Sequence, residues 1–151
     1  MYEETEILLV EDDPKDARLA MRELQVDKPN LLIQLVRDGE EALDFLFCRG
    51  TYSDRSPARP PKLILLDLKL PKIDGLQVLR EIKNNPQMRA IPVVALTSSR
   101  EENDRIESYR LGVNSYVQKP VNFEEFRRTI RTVGLYWLNI NQPPPERIIR
   151  A

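Results

Sequence analysis

Five short apolar runs, each too short for a helix, alternate with stretches of helical spacing, and this alternation constrains the chain more than any other feature. The runs are Ile7 to Val10, Leu31 to Val36, Leu63 to Leu66, Val93 to Leu96 and, more weakly, Tyr116 to Gln118. They are rich in Val, Ile and Leu, which suit pleated backbone, and their continuous apolar character is that of strands covered on both faces. Between them apolar residues recur every three or four positions: Ala17, Ala20, Met21 and Leu24; then Ala42, Phe45 and Leu46; then Gly75, Val78, Leu79 and Ile82. A final stripe holds Phe123, Phe126, Ile130, Val133 and Trp137. Buried strands joined through helices form a parallel sheet with helices on both sides. The pattern therefore predicts an α/β fold, a doubly wound (βα)5 sheet. Its fourth helix, near Glu101 to Leu111, has only Ile106 and Tyr109 as an apolar stripe and is expected to pack most loosely.

Two segments lie outside the alternation. Arg49 to Lys62 is a Pro-, Ser- and Arg-containing loop between the second helix and the third strand, and 139–151 is a proline-broken tail. Neither is long enough to be a domain. With 151 residues and 41% hydrophobic composition, one domain over 1–138, with the enlarged loop 49–62, is expected.

Charge and residue usage exclude several function classes. The 23 Lys+Arg balance 24 Asp+Glu, which supplies no electrostatic drive toward nucleic acid or an anionic membrane. No apolar run approaches the roughly 20 residues that cross a bilayer, and the start MYEETEILLV lacks the basic flank of a signal peptide, so a cytoplasmic protein is expected. The single cysteine, Cys48, excludes an internal disulfide and reads as a small buried hydrophobe. There is no histidine, which removes Ser-His-Asp and Cys-His catalysis, HExxH zinc chemistry and autophosphorylation on histidine. Five glycines, at 39, 50, 75, 112 and 134, cannot build GxxxxGK[ST] or GxGxxG.

Some polar residues have an evident structural task. Asp13 precedes Pro14, an N-cap before proline at the first helical position, while Asp74 with Gln77, Ser99 with Glu102 and Asn122 with Glu125 have capping-box spacing. What remains sits at carboxyl ends of strands: Glu11 and Asp12 after the first, Asp67 after the third, Thr97 after the fourth, Lys119 after the fifth. Ligands of open α/β sheets bind outside those ends, where strand order reverses. In the order 2-1-3-4-5 the first and third strands are neighbours, which gathers Glu11, Asp12 and Asp67. Three close carboxylates repel one another, and a hard divalent cation relieves that repulsion. Oxygen ligands without His or Cys favour Mg2+.

At these residues the sequence resembles the receiver domain of two-component response regulators, from about Thr5 to Trp137. ILLVEDDP is similar to the acidic pair after the first strand, LLDLKLPKIDG to the phosphoacceptor strand and its loop, ALTSS to the switch hydroxyl segment, and SYVQKP to the aromatic switch with its lysine. The resemblance implies the CheY-like, flavodoxin-like sheet. It also implies that Asp67 accepts a phosphoryl group from a phosphohistidine on a sensor histidine kinase. Asp12, Asp67 and the backbone carbonyl of Lys69 would hold Mg2+, with Glu11 acting largely through water. Lys119 would pair with the phosphoryl oxygens, its bond to Pro120 would be cis, and Thr97 and Tyr116 would form the switch.

The family usually joins the second helix to the third strand more directly than Arg49 to Lys62 does. That loop and the run into GLYWLNINQPPP resemble response regulators paired with bacterial and cyanobacterial phytochromes, and with no winged-helix or helix-turn-helix pattern in the sequence a stand-alone regulator that acts through other proteins is expected. The surplus apolar residues Leu135, Tyr136 and Leu138 beside Trp137 suit either a second copy, docked on the face from the fourth helix to the C terminus, or the chain's own core. Two alternatives compete. One is a receiver fold that signals by contact alone, though such receivers usually lack an acid or the lysine and none is missing here. The other is a small aspartyl-phosphate phosphatase, which typically carries a second acid two residues after its nucleophile, where this chain has Lys69.

Overall fold

The computed structural model describes residues 5–145. Five parallel strands, β1 (Ile7–Val10), β2 (Ile33–Val36), β3 (Leu63–Leu66), β4 (Val93–Thr97) and β5 (Ser115–Gln118), lie in the order β2-β1-β3-β4-β5. The helices α1 (Pro14–Leu24), α2 (Gly39–Leu46), α3 (Gly75–Asn84), α4 (Glu102–Leu111) and α5 (Phe123–Leu135) follow the strands in turn. Successive strand residues point to opposite faces, so the apolar runs supply two cores at once. Leu8, Val10, Ile64, Leu66, Val93 and Ala95 join α2 and α3 residues such as Phe45, Leu46, Val78, Leu79 and Ile82. Ile7, Leu9, Leu63, Leu65, Val94 and Leu96 join Leu19, Ala20 and Leu24 of α1 and Phe126, Ile130 and Val133 of α5. The expected fold class and strand order are therefore present.

Register aligns the strand ends. Val10 is level with Leu66, so Glu11 and Asp67 leave the sheet side by side at the point where strand order reverses. The amide of Asp67 donates to the Val10 carbonyl at 3.0 Å, and that of Lys119 to the Thr97 carbonyl at 2.8 Å. Helix α3 begins hard against this edge. A Cβ on Gly75 would lie 2.4 Å from the Asp67 carbonyl oxygen, so only glycine lets the helix approach the strand end.

The caps divide. Asp13 accepts from the amides of Lys15 and Asp16, and Asn122 accepts from that of Glu125, as their spacing predicts. Asp74 occupies the N-cap position of α3 without a side-chain cap bond, and the Gly75 amide donates to the Leu68 carbonyl at 3.0 Å. The N-cap of α4 is Glu101, and Ser99 is drawn instead toward Asp104.

Further expectations need correction. Helix α4 buries Asp104 and Ser108 and leaves Ile106 and Tyr109 exposed, the reverse of the expected stripe, because polar partners on two loops receive its inner face. Cys48 is half-buried at φ 56°, and its Sγ accepts a hydrogen bond from Arg55 at 3.3 Å, so it is part of a polar turn and not core. There is no cis peptide bond among the described residues, so Lys119–Pro120 is trans, the isomer X–Pro bonds favour by about 0.5–1 kcal/mol. Phe123 is exposed, whereas Trp137 and Leu138, in a π-helical turn over Tyr136–Ile140, pack back on the α1/α5 core. The tail expected over 139–151 lies partly outside the described residues.

The 49–62 loop is built around one side chain. Arg55 is buried, its guanidinium stacked 3.9 Å over the Phe45 ring, with donors to the carbonyls of Phe45 and Arg59. Tyr52, in a short 3-10 turn over Gly50–Tyr52, meets Phe45 edge-on and donates to Glu41 at 2.6 Å.

Candidate functional site

The carboxyl ends of β1, β3 and β5 converge on one ammonium group. Lys119 is buried, and its Nζ lies 2.5 Å from Glu11 Oε1, 2.9 Å from Asp16 Oδ2 and 3.0 Å from Asp67 Oδ2. Asp67 is itself buried at 5% exposure, and its second oxygen accepts the Lys69 amide at 3.1 Å. Glu11 uses its other oxygen to accept the Asp13 amide at 3.1 Å. Asp12 is exposed at the rim, yet one carboxylate oxygen each from Glu11, Asp12 and Asp67 lie within 4.8 Å of one another.

One lysine faces three acids, and burial sharpens the imbalance. Burial pushes the Glu11 carboxyl up to about 7, with Asp67 adding to the rise and Lys119 opposing it. Burial opposes the Lys119 charge as well, but Asp67, Glu11 and the bonds to Glu11 and Asp16 outweigh it and hold the ammonium firmly protonated. Such a site has room for further positive charge. All its donors are oxygens, a set that suits a hard divalent cation, so the residues present fit Mg2+.

Thr97 closes β4 and is fully buried, its Oγ1 accepting the Ser99 amide at 3.1 Å. Tyr116 lies on β5 level with Ala95; its ring packs on the α2/α3 core, and burial raises the phenol pKa. The structure thus brings Glu11, Asp12, Asp67 and Lys119 together and sets Thr97 and Tyr116 on the adjoining strands.

Sequence reasoning missed Asp16, which reads as an ordinary acid in the first turn of a helix. No spacing in the sequence singles it out from the other acids that begin helices. It also missed the pairing of Lys69 Nζ with Asp104 Oδ2 at 3.0 Å, which no spacing announces. The Asp104 carboxyl is held below the usual carboxylate range, first by the Ser99 hydroxyl and then by Lys69.

A doubly wound sheet with an acidic cluster and a lysine at its switch point defines a class, and the comparisons agree. The chain belongs to the response regulator receiver domain family, whose model matches residues 7–131. It is 42% identical over 138 residues to the probable methanogenesis regulatory protein FilR2 of Methanothrix harundinacea, covering 91% of this chain and 86% of that protein. It is 45% identical over 132 residues to response regulator Rcp1 of Synechocystis sp., covering 87% and 88%. The solved structure of Mn2+-bound Rcp1 superposes with a TM-score of 0.87 over 93% of this chain and 99% of that one. The phosphorylated cyanobacterial phytochrome response regulator RcpA, 40% identical, gives 0.87 over the same shares. The protein is thus a receiver domain of two-component signalling, homologous to phytochrome response regulators.

Proposed function

We propose that this receiver accepts a phosphoryl group on Asp67 from a phosphohistidine of a sensor histidine kinase of the phytochrome type. The observation that carries the reading is the buried Lys119 ammonium 3.0 Å from Asp67, with Glu11 and Asp12 beside it at the same sheet edge. In the transfer an Asp67 oxygen attacks phosphorus, the P–N bond to the imidazole breaks, and an acyl phosphate forms while the imidazole leaves with the bonding pair. The chain's own contribution is placement and charge. Strand β3 and the Lys69 amide hold the carboxylate, and Lys119 faces the oxygens that gain charge. Asp12, Asp67 and the Lys69 carbonyl would hold Mg2+, with Glu11 nearby; the ion supplies further positive charge against the phosphoryl oxygens.

Thr97 would donate its hydroxyl to the phosphoryl group, with Tyr116 adjusting beside it. The receiver runs from 1 to 138 in this reading, and the protein acts in the cytoplasm by contacts with protein partners, without touching nucleic acid. The exposed apolar face from α4 toward the C terminus is proposed to pair with a second copy.

The test is intact-protein mass after incubation with acetyl phosphate, with and without Mg2+, for wild type and Asp67→Asn. One added phosphoryl group that needs both the ion and Asp67 is the expected result. No addition under any condition would leave a receiver that signals by contact alone.

A further inference from the structure

We infer that Asp104 is the positioning residue that ties α4 to both loops beside Asp67 and so conveys the state of Asp67 to that helix, an inference that rests on Asp67 being the phosphoacceptor. Helix α4 differs from the other helices in what it turns inward. Its buried residues are Asp104 and Ser108, both polar, while Ile106 and Tyr109 stay in solvent. A carboxylate on an inner face is stable only with partners, and Asp104 finds them on two separate loops.

Asp104 Oδ2 accepts the Ser99 hydroxyl at 2.5 Å and lies 3.0 Å from Lys69 Nζ. Ser99 belongs to the loop after β4, Lys69 to the loop after β3. Each partner also reaches the site through its own backbone: the Lys69 amide donates to Asp67 Oδ1 and the Ser99 amide to Thr97 Oγ1, both at 3.1 Å. The tie is braced on both sides. Ser108 donates to the Asp104 carbonyl at 2.7 Å, and Gln118 of β5 donates to the Ser99 carbonyl at 3.3 Å.

A phosphoryl group on Asp67 adds about two negative charges and three acceptor oxygens. It competes with Asp104 for the Lys69 ammonium and draws the Thr97 hydroxyl away from the Ser99 amide. Both changes loosen the residues that Asp104 grips, and the slack is passed to α4. The other link, from Lys69 to the exposed Glu101 at 4.0 Å, is long and solvated and cannot substitute.

The experiment compares wild type with Asp104→Asn by amide hydrogen exchange across α4, before and after treatment with acetyl phosphate and Mg2+, while intact mass reports uptake. In wild type, uptake should change α4 exchange. In Asp104→Asn uptake should persist, α4 should exchange about tenfold faster beforehand, and phosphorylation should add nothing further. Lys69→Met cuts the Lys69 arm of the tie from its exposed end, leaves the Ser99 arm in place and should reduce the phosphorylation-dependent change, which keeps the test open if Asp104→Asn does not fold. Wild-type exchange in unphosphorylated Asp104→Asn, or an intact response to uptake in it, overturns the inference. A wild-type protein that takes up no phosphoryl group refutes the reading of Asp67, while the unphosphorylated comparison still decides whether Asp104 ties α4 down.

Discussion

Glu11 shows how burial and charge combine at a single residue. Its carboxyl is pushed up to about 7, above its ordinary 4.5, so in the metal-free protein the folded state holds a proton between those values that the unfolded chain does not. The sign follows: this residue's contribution to stability is largest at low pH and is lost as pH rises from 4.5 to 7. A divalent cation at the cluster must displace that proton. Mn2+ affinity measured by titration calorimetry should therefore weaken about tenfold from pH 6 to pH 5, and an affinity level across that interval would remove Glu11 from the ion's surroundings. At this scale the site was largely legible. Glu11, Asp12, Asp67, Thr97 and Lys119 stand out because they are polar residues at the carboxyl ends of the strand runs, where nothing structural asks for one. Asp16 and Asp104 were hidden because acids in the first turn of a helix are already accounted for by its dipole.

Among the elements, the 49–62 loop departs most from its appearance. Its Pro, Ser and Arg content reads as solvated linker, yet Arg55 is only 5% exposed and gathers Phe45, Cys48 and Arg59 around its guanidinium. Burial lowers its pKa, with Cys48 opposing that effect, and no ion pair to an acid compensates it among the described residues. Arg55→Met should thus lose stacking and charged hydrogen bonds together, costing about 2 kcal/mol. Urea unfolding would show a lower midpoint, with faster proteolysis within 49–62; an unchanged midpoint would mean that the loop is held by Tyr52 alone. Helix α4 teaches the same lesson in reverse. Helical periodicity finds the side that is apolar, but a helix whose partners are a serine and a lysine on loops turns its polar side inward.

For the whole molecule, the apolar residues left in solvent matter most. Ile106, Tyr109, Val121 and Phe123 are exposed at 38%, 55%, 90% and 63%, and Leu135, Tyr136 and Ile140 add apolar surface nearer the C terminus. If a second copy covers it, sedimentation velocity should show concentration-dependent dimers that Phe123→Asp weakens at least tenfold; a monomer at every concentration, phosphorylated or not, would leave the face unpaired. Strand and helix identity, the two-faced core and the acid-to-lysine order along the chain were determined by sequence alone, because burial on both faces writes continuous apolar runs and the acids and the lysine sit at their carboxyl ends. Tertiary structure decided what depends on distance between remote segments: which acids share Lys119, what Arg55 and Asp104 bind, and which way α4 and Trp137 face. Local periodicity records how a residue repeats along its own element, and carries no information on the polar partner that another loop will bring to it.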